Sequence, residues 1–137
     1  MTEAKTAAAR RSAIPDSRAV AVAVARAASD KQASRIVVLD VREPIVITDY
    51  FVICTASSVR QIRSLLDEIE RVTRDMGVKP IRREGEGEAG WWLLDYFDLV
   101  VHVFAEEERD YYDLERLWRD APAVPWERPD AMSSEVD

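Results

Sequence analysis

The sequence predicts an α/β domain, a mixed sheet of about five strands covered by helices. Two kinds of segment carry that prediction. Short apolar, β-branched runs (Ile36-Val37-Val38-Leu39, Ile47 to Thr55, Leu99 to Phe104) have strand length, whereas Ile62 to Met76 repeats its apolar residues at helical spacing. The length of 137 residues suits one domain at roughly 150 residues each. With 47% hydrophobic and 33% charged residues, and only 4 Gly and 6 Pro, the chain can build a core and is neither disordered nor collagen-like.

The elements follow in order. Residues 1–15 read as a flexible tail, 16–120 as a single domain, and 121–137 as a second, Pro-containing flexible tail. Between Ala19 and Ala28, valines at 20, 22 and 24 alternate as in a strand, but the alanines between them favour helix. A helix places Val20, Ala23, Val24 and Ala27 on one face, with Asp16 or Ser17 accepting the free N–H groups of its first turn. Ser34 to Val41 reads as a strand buried on both faces, and Glu43-Pro44 as a turn. Ile47 to Thr55 is the next strand, ended by Ala56-Ser57-Ser58. Ser58 with Gln61 has the capping-box form. Ile62, Leu65, Leu66, Ile69, Val72 and Met76 then form one helical stripe, and Gly77 sits where a left-handed residue ends a helix.

Val78 to Arg82 reads as a short edge strand because of Pro80. Glu84-Gly85-Glu86-Gly87-Glu88 reads as a loop. Trp91 to Asp95 and Leu99 to Phe104 form a hairpin around Tyr96-Phe97. Arg109 to Trp118 is a short helix whose stripe of Tyr111, Leu114, Leu117 and Trp118 is most simply core. Pro122, Pro125 and Pro129 leave the chain extended or mobile from Ala121.

Charge and motifs exclude several classes of function. The formal charge of −7 disfavours gripping DNA or RNA phosphates and favours a basic protein partner. The longest apolar run, Ala19 to Ala25, closes at Arg26 and falls far short of the ~20 residues that span a bilayer. A lone cysteine, Cys54, permits a reducing compartment. Neither GxGxxG nor GxxxxGK[ST] occurs, and one Cys with one His cannot hold structural zinc.

Four features invite a functional reading. His102 lies mid-strand among valines, where a hydrogen-bonded, partly buried histidine is the plainer account than a catalytic base. Asp95 and Asp98 flank a turn, and turn chemistry explains them before paired acid-base work does. Thr55-Ala56-Ser57-Ser58, a strand opening into a helix, resembles the turn of some nucleotidyltransferases. The acids considered for it, Asp40 and Asp49, precede that turn, and no Asp-x-Asp pair follows the helix. Trp91 and Trp92 must point to opposite sheet faces, and Tyr112 among charged neighbours is either a binding-rim aromatic or an ordinary exposed tyrosine.

Taken together, Leu39-Asp40-Val41, Thr48 to Thr55, Ser58-x-Arg60-Gln61, Glu84-Gly85, Trp91-x-Leu93-Leu94-Asp95-Tyr96, Asp98-x-Val100-Val101-His102-Val103-Phe104 and Arg109-x-x-Tyr112-x-Leu114-Glu115-x-Leu117-Trp118 resemble the iojap or ribosomal silencing factor family. The resemblance runs from about Ser17 to Pro122. It implies a nucleotidyltransferase-like fold without the catalytic acids, no enzymatic activity and no cofactor. It further implies a cytoplasmic factor that binds the large ribosomal subunit through ribosomal protein L-fourteen, blocks the small subunit and represses translation, with a possible homodimer off the ribosome. Motif position makes Glu84, Trp91, Asp95, Asp98, His102, Arg109, Tyr112, Leu114 and Trp118 the expected partner-binding residues. The rival expectations are a metal-dependent nucleotidyltransferase using Asp40 or Asp49, and a generic acidic protein-binding module. One departure stands out: Phe97 occupies a hairpin position where the family commonly has glycine.

Overall fold

A computed structural model describes residues 16–42, 48–85, 90–117 and 119–129. Five strands form one sheet in the order β1-β2-β5-β4-β3: β1 (Ser34–Asp40), β2 (Tyr50–Ala56), β3 (Arg82–Glu84), β4 (Trp91–Asp95) and β5 (Leu99–Ala105). The sheet is mixed. β2 and β5 run parallel with Tyr50 opposite Leu99, and the other neighbouring pairs are antiparallel. The expected α/β fold is therefore observed.

Helices α1 (Ser17–Asp30) and α2 (Val59–Asp75) pack on one face of this sheet. Ser58 Oγ accepts the Gln61 N–H at 3.1 Å, satisfying one free donor of the first turn of α2, while the Gln61 side chain accepts the N–H of Ser57, just ahead of the cap. Ile62, Leu65, Leu66 and Ile69 are fully buried, and Gly77 at φ +83 turns the chain out of the helix in the left-handed conformation expected for it. Alanine in α1 has a packing reason: Ala21, Ala25 and Ala28 are buried against β-strand side chains, so the two helices and the sheet approach closely. The cap of α1 differs from expectation. Asp16 stands at the N-cap but gives only its backbone carbonyl, to the Val20 N–H, and its carboxylate makes no capping bond.

Three further boundaries differ from the sequence reading. The third strand starts at Arg82, after Pro80, because a proline cannot donate to the ladder; it is an edge strand as expected, and it takes in Glu84. The last helix is two pieces, α3 (Glu106–Tyr112) and α4 (Leu114–Leu117), broken at Asp113 with φ +45. That break resets the helical phase, so Tyr111, expected in the core, is 81% exposed. The C-terminal correction is larger. Residues 121–129 do not leave the domain: the Asp40 N–H donates to Pro122, the Val124 N–H donates to Val38, and Val124 is buried in the main core. Arg26 Nε donates to the Trp126 carbonyl at 2.7 Å, and Arg128 grips Asp30 with both terminal nitrogens. Prolines, which end helices, suit this extended strap along the outer edge of β1. The 1–15 tail, the Glu43-Pro44 turn and the Glu86 to Glu88 part of the acidic loop lie outside the described residues.

An aromatic face on the open side of the sheet

Strand alternation sorts the side chains of the sheet into two sets. One set, with Val38, Val52, Cys54, Leu94, Val101, Val103 and Trp92, lies beneath α1 and α2. The other, with Leu39, Phe51, Ile53, Phe104, Trp91 and Val100, faces away from those helices. Trp91 and Trp92 are thus divided between the faces as their adjacency requires. Trp92 packs under the Arg83 guanidinium, whose carbon is 5.4 Å from the ring centroid, and Trp91 joins the opposite side.

On that opposite side the aromatic rings cluster. Trp91 stands 5.1 Å from Phe104, 4.5 Å from Tyr112 and 5.8 Å from His102 by ring centroids, and Phe51 meets His102 edge-on at 4.9 Å. These separations lie in the range of favourable aromatic pairing. The indole Nε1–H donates to His102 Nδ1 at 3.1 Å. His102 is only 6% exposed, and burial depresses its pKa to about 4, so the ring is neutral near pH 7. Trp91 is half-buried, and Tyr112 at 42% exposure is the open edge of the cluster.

Helix α3 holds Tyr112 in place through a buried arginine. Arg109, 1% exposed, donates from Nη1 to Thr55 Oγ1 at 2.9 Å, tying α3 to the end of β2. Leu114 is partly buried against the Leu39, Phe51, Ile53 and Phe104 group. Carboxylates lie on the elements beside the cluster: Glu106 and Glu107 are exposed on α3, where Asp110 pairs with Arg35 at 2.7 Å, and Glu84 is exposed on the edge strand, 3.3 Å from Arg82. Asp95 accepts from Arg82 Nε at 3.2 Å and, at its other oxygen, from the Phe97 N–H at 2.8 Å. Asp98 is exposed in the hairpin turn, where its carbonyl accepts the Asp49 and Tyr50 N–H groups. Asp95 therefore performs turn and ion-pair work. Phe97 has φ +80 and is 66% exposed, so this phenylalanine holds a glycine-type conformation without burial to offset it.

Of the nine residues expected at the partner site, Trp91, His102, Tyr112 and Leu114 are brought together. Arg109 of α3 is buried, Glu84 sits on the neighbouring edge strand, Asp95 ends the strand that Trp91 begins, and Asp98 lies at the far end of the hairpin. Trp118 falls outside the described residues. Phe51 and Phe104 complete the cluster and were not among the expected residues, although period-two alternation from His102 puts Phe104 on the same face. One of the two acids considered for transfer chemistry is engaged elsewhere. Asp40 receives Arg42 Nε at 2.9 Å and Nη2 at 2.6 Å, which holds its carboxyl below the usual carboxylate range. Burial pushes the Cys54 thiol up to about 12. Among the described residues no three His, Cys, Asp or Glu side chains are grouped to hold a metal ion, and no helix is long and apolar enough to cross a membrane.

A mixed five-stranded sheet with α1 and α2 on one face, and an aromatic cluster flanked by α3 and α4 on the other, defines the class as an α/β protein. Residues 14–137 match the family model described as "Ribosomal silencing factor during starvation", and the chain belongs to that RsfS family. It is 42% identical over 101 residues to ribosomal silencing factor RsfS of Halalkalibacterium halodurans, covering 74% of this chain and 86% of that one. The Bacillus subtilis RsfS is 43% identical over 98 residues, covering 72% and 83%. A crystal structure of a Chromobacterium violaceum protein superposes with a TM-score of 0.70 at 30% identity, covering 74% of this chain and 84% of that one. The family is named for ribosomal silencing, a regulatory role and not a catalytic one.

Proposed function

We propose that the chain silences translation by binding the large ribosomal subunit through ribosomal protein L-fourteen and occupying space the small subunit needs. The observation that carries this reading is the Trp91 and Tyr112 pair, 4.5 Å apart and partly exposed on the sheet face that α1 and α2 leave open. Aromatic residues of that kind anchor protein interfaces, and the carboxylates around them suit a basic protein while repelling bare RNA. Glu106 and Glu107 on α3 supply rim charge, Tyr112, Trp91 and Leu114 supply the apolar centre, and Arg109 fixes the helix that carries Tyr112; Glu84, Asp95 and Asp98 lie further along the edge strand and the hairpin. No bond is made or broken. With free factor a hundredfold above Kd, mass action alone opposes subunit joining by about 2.7 kcal/mol, a nearly hundredfold effect. Such a factor works in the cytoplasm, and off the ribosome we expect a homodimer.

Cosedimentation with separated subunits tests the proposal. The protein should travel with large subunits and not with small ones, and adding it to a mixture of both should deplete whole ribosomes. Tyr112→Ala should fold normally yet stay at the top of the gradient. Unchanged formation of whole ribosomes under saturating factor would overturn the mechanism. Association should also slow as salt rises, because the rim charges steer the encounter.

A further inference from the structure

His102 is poorly explained by stability. It is buried among Phe51, Trp91 and Phe104, and its Nε2 finds no hydrogen-bond partner among the described residues. A buried polar atom left unpaired costs about 1–3 kcal/mol, whereas an apolar ring of similar shape would incur no such penalty. What a histidine adds at this position is one acceptor, Nδ1, and that atom accepts a hydrogen bond from the Trp91 indole N–H at 3.1 Å. The indole N–H can only donate, so Nδ1 must carry its lone pair and the imidazole must be the neutral Nε2–H tautomer.

We infer that His102 is a positioning residue: by accepting the indole N–H hydrogen bond, it fixes the plane of Trp91 and presents an aromatic surface already shaped for its partner. Three contacts then determine the ring. The hydrogen bond to His102 sets its tilt from one side, and Tyr112 and Phe104 hold it from the others. An indole held in its bound orientation loses less side-chain freedom on docking, and that saving appears as affinity. The role in affinity rests on the proposed ribosomal function, while the orientation of Trp91 can be read without any partner.

The test compares the full chain with His102→Phe and His102→Asn, the second of which returns an oxygen acceptor near the Nδ1 position. Nitrogen-15 NMR of the wild type should show the Nε2–H tautomer, with the Trp91 indole signal assigned through Trp91→Phe. His102→Phe should melt at or above the wild-type temperature, shift and broaden that signal, and bind large subunits about five- to tenfold more weakly, the worth of one hydrogen bond. His102→Asn should restore binding to within about twofold, the remainder of that hydrogen bond's effect. An Nδ1–H tautomer, an unmoved indole signal in His102→Phe, unchanged binding by that variant, or two folded variants equally weakened would each overturn the inference. If the wild type itself does not cosediment with large subunits, the functional proposal fails, and the tautomer and indole signals still decide whether His102 orients Trp91.

Discussion

Arg109 of α3 reaches Thr55 at the end of β2, Nη1 to Oγ1 at 2.9 Å, with the arginine 1% exposed. A short helix of seven residues is too small to be stable alone, so this buried bond and the packing of the arginine stem hold it on the sheet. Arg109→Ala should therefore lower the free energy of unfolding by about 2–3 kcal/mol in urea titrations, and Thr55→Val by about 1–2 kcal/mol. Both should weaken partner binding, since Tyr112 lies one turn beyond Arg109.

The pH dependence of stability should carry the signature of His102. Its folded pKa, about 4, lies below the usual value of 6.5, so between those values the unfolded chain binds the extra proton. Stability is intact above pH 6.5 and falls by about 3 kcal/mol as the pH drops to 4. Urea midpoints measured across that range should decline less steeply in His102→Phe than in the wild type. Parallel slopes would show that the carboxylates alone account for acid loss.

Phe97→Gly should stabilise the domain. The left-handed backbone costs an L residue roughly 1–2 kcal/mol, and glycine returns about 0.5–1 kcal/mol of that as entropy lost on folding. A net gain of about 0.5–1 kcal/mol should appear as a raised melting temperature, because the exposed ring contributes little burial to lose.

The C-terminal strap should be part of the cooperative unit. Val124→Ala, which removes two buried methyl groups between β1 and α1, should cost about 2 kcal/mol. Amide exchange at Val124 should be as slow as in the sheet, since its N–H is bonded to Val38. Rapid exchange there would mean that the strap opens independently.

Much of this arrangement is legible from residue order, and the exceptions share a cause. The cap at Ser58, the stripe through Ile62 and Ile69, the glycine at 77 and the split of Trp91 from Trp92 all follow from local periodicity, which a single segment reveals. The strap along β1 does not, because its bonds join backbone groups that every residue possesses, and its prolines look like a signal to leave the fold. The break at Asp113 is equally silent: Tyr112-Asp113-Leu114 contains neither glycine nor proline. At the aromatic face, motif position found Trp91, His102 and Tyr112, but which one carries contact and which one supports it depends on burial, and burial is a property of the assembled sheet.

The parallel pairing of β2 with β5 sets an order on how this molecule comes into being. Tyr50 has to wait for Leu99, and Ala56 for Ala105, so the midline of the sheet closes only after nearly fifty intervening residues have been made. Until then the apolar strand β2 has no neighbour on one side, and a growing chain at this stage is exposed to wrong pairings. A protein that acts on ribosomes thus reaches its working shape only late in its own synthesis, so fragments truncated before residue 105 should be unable to present the Trp91 surface at all.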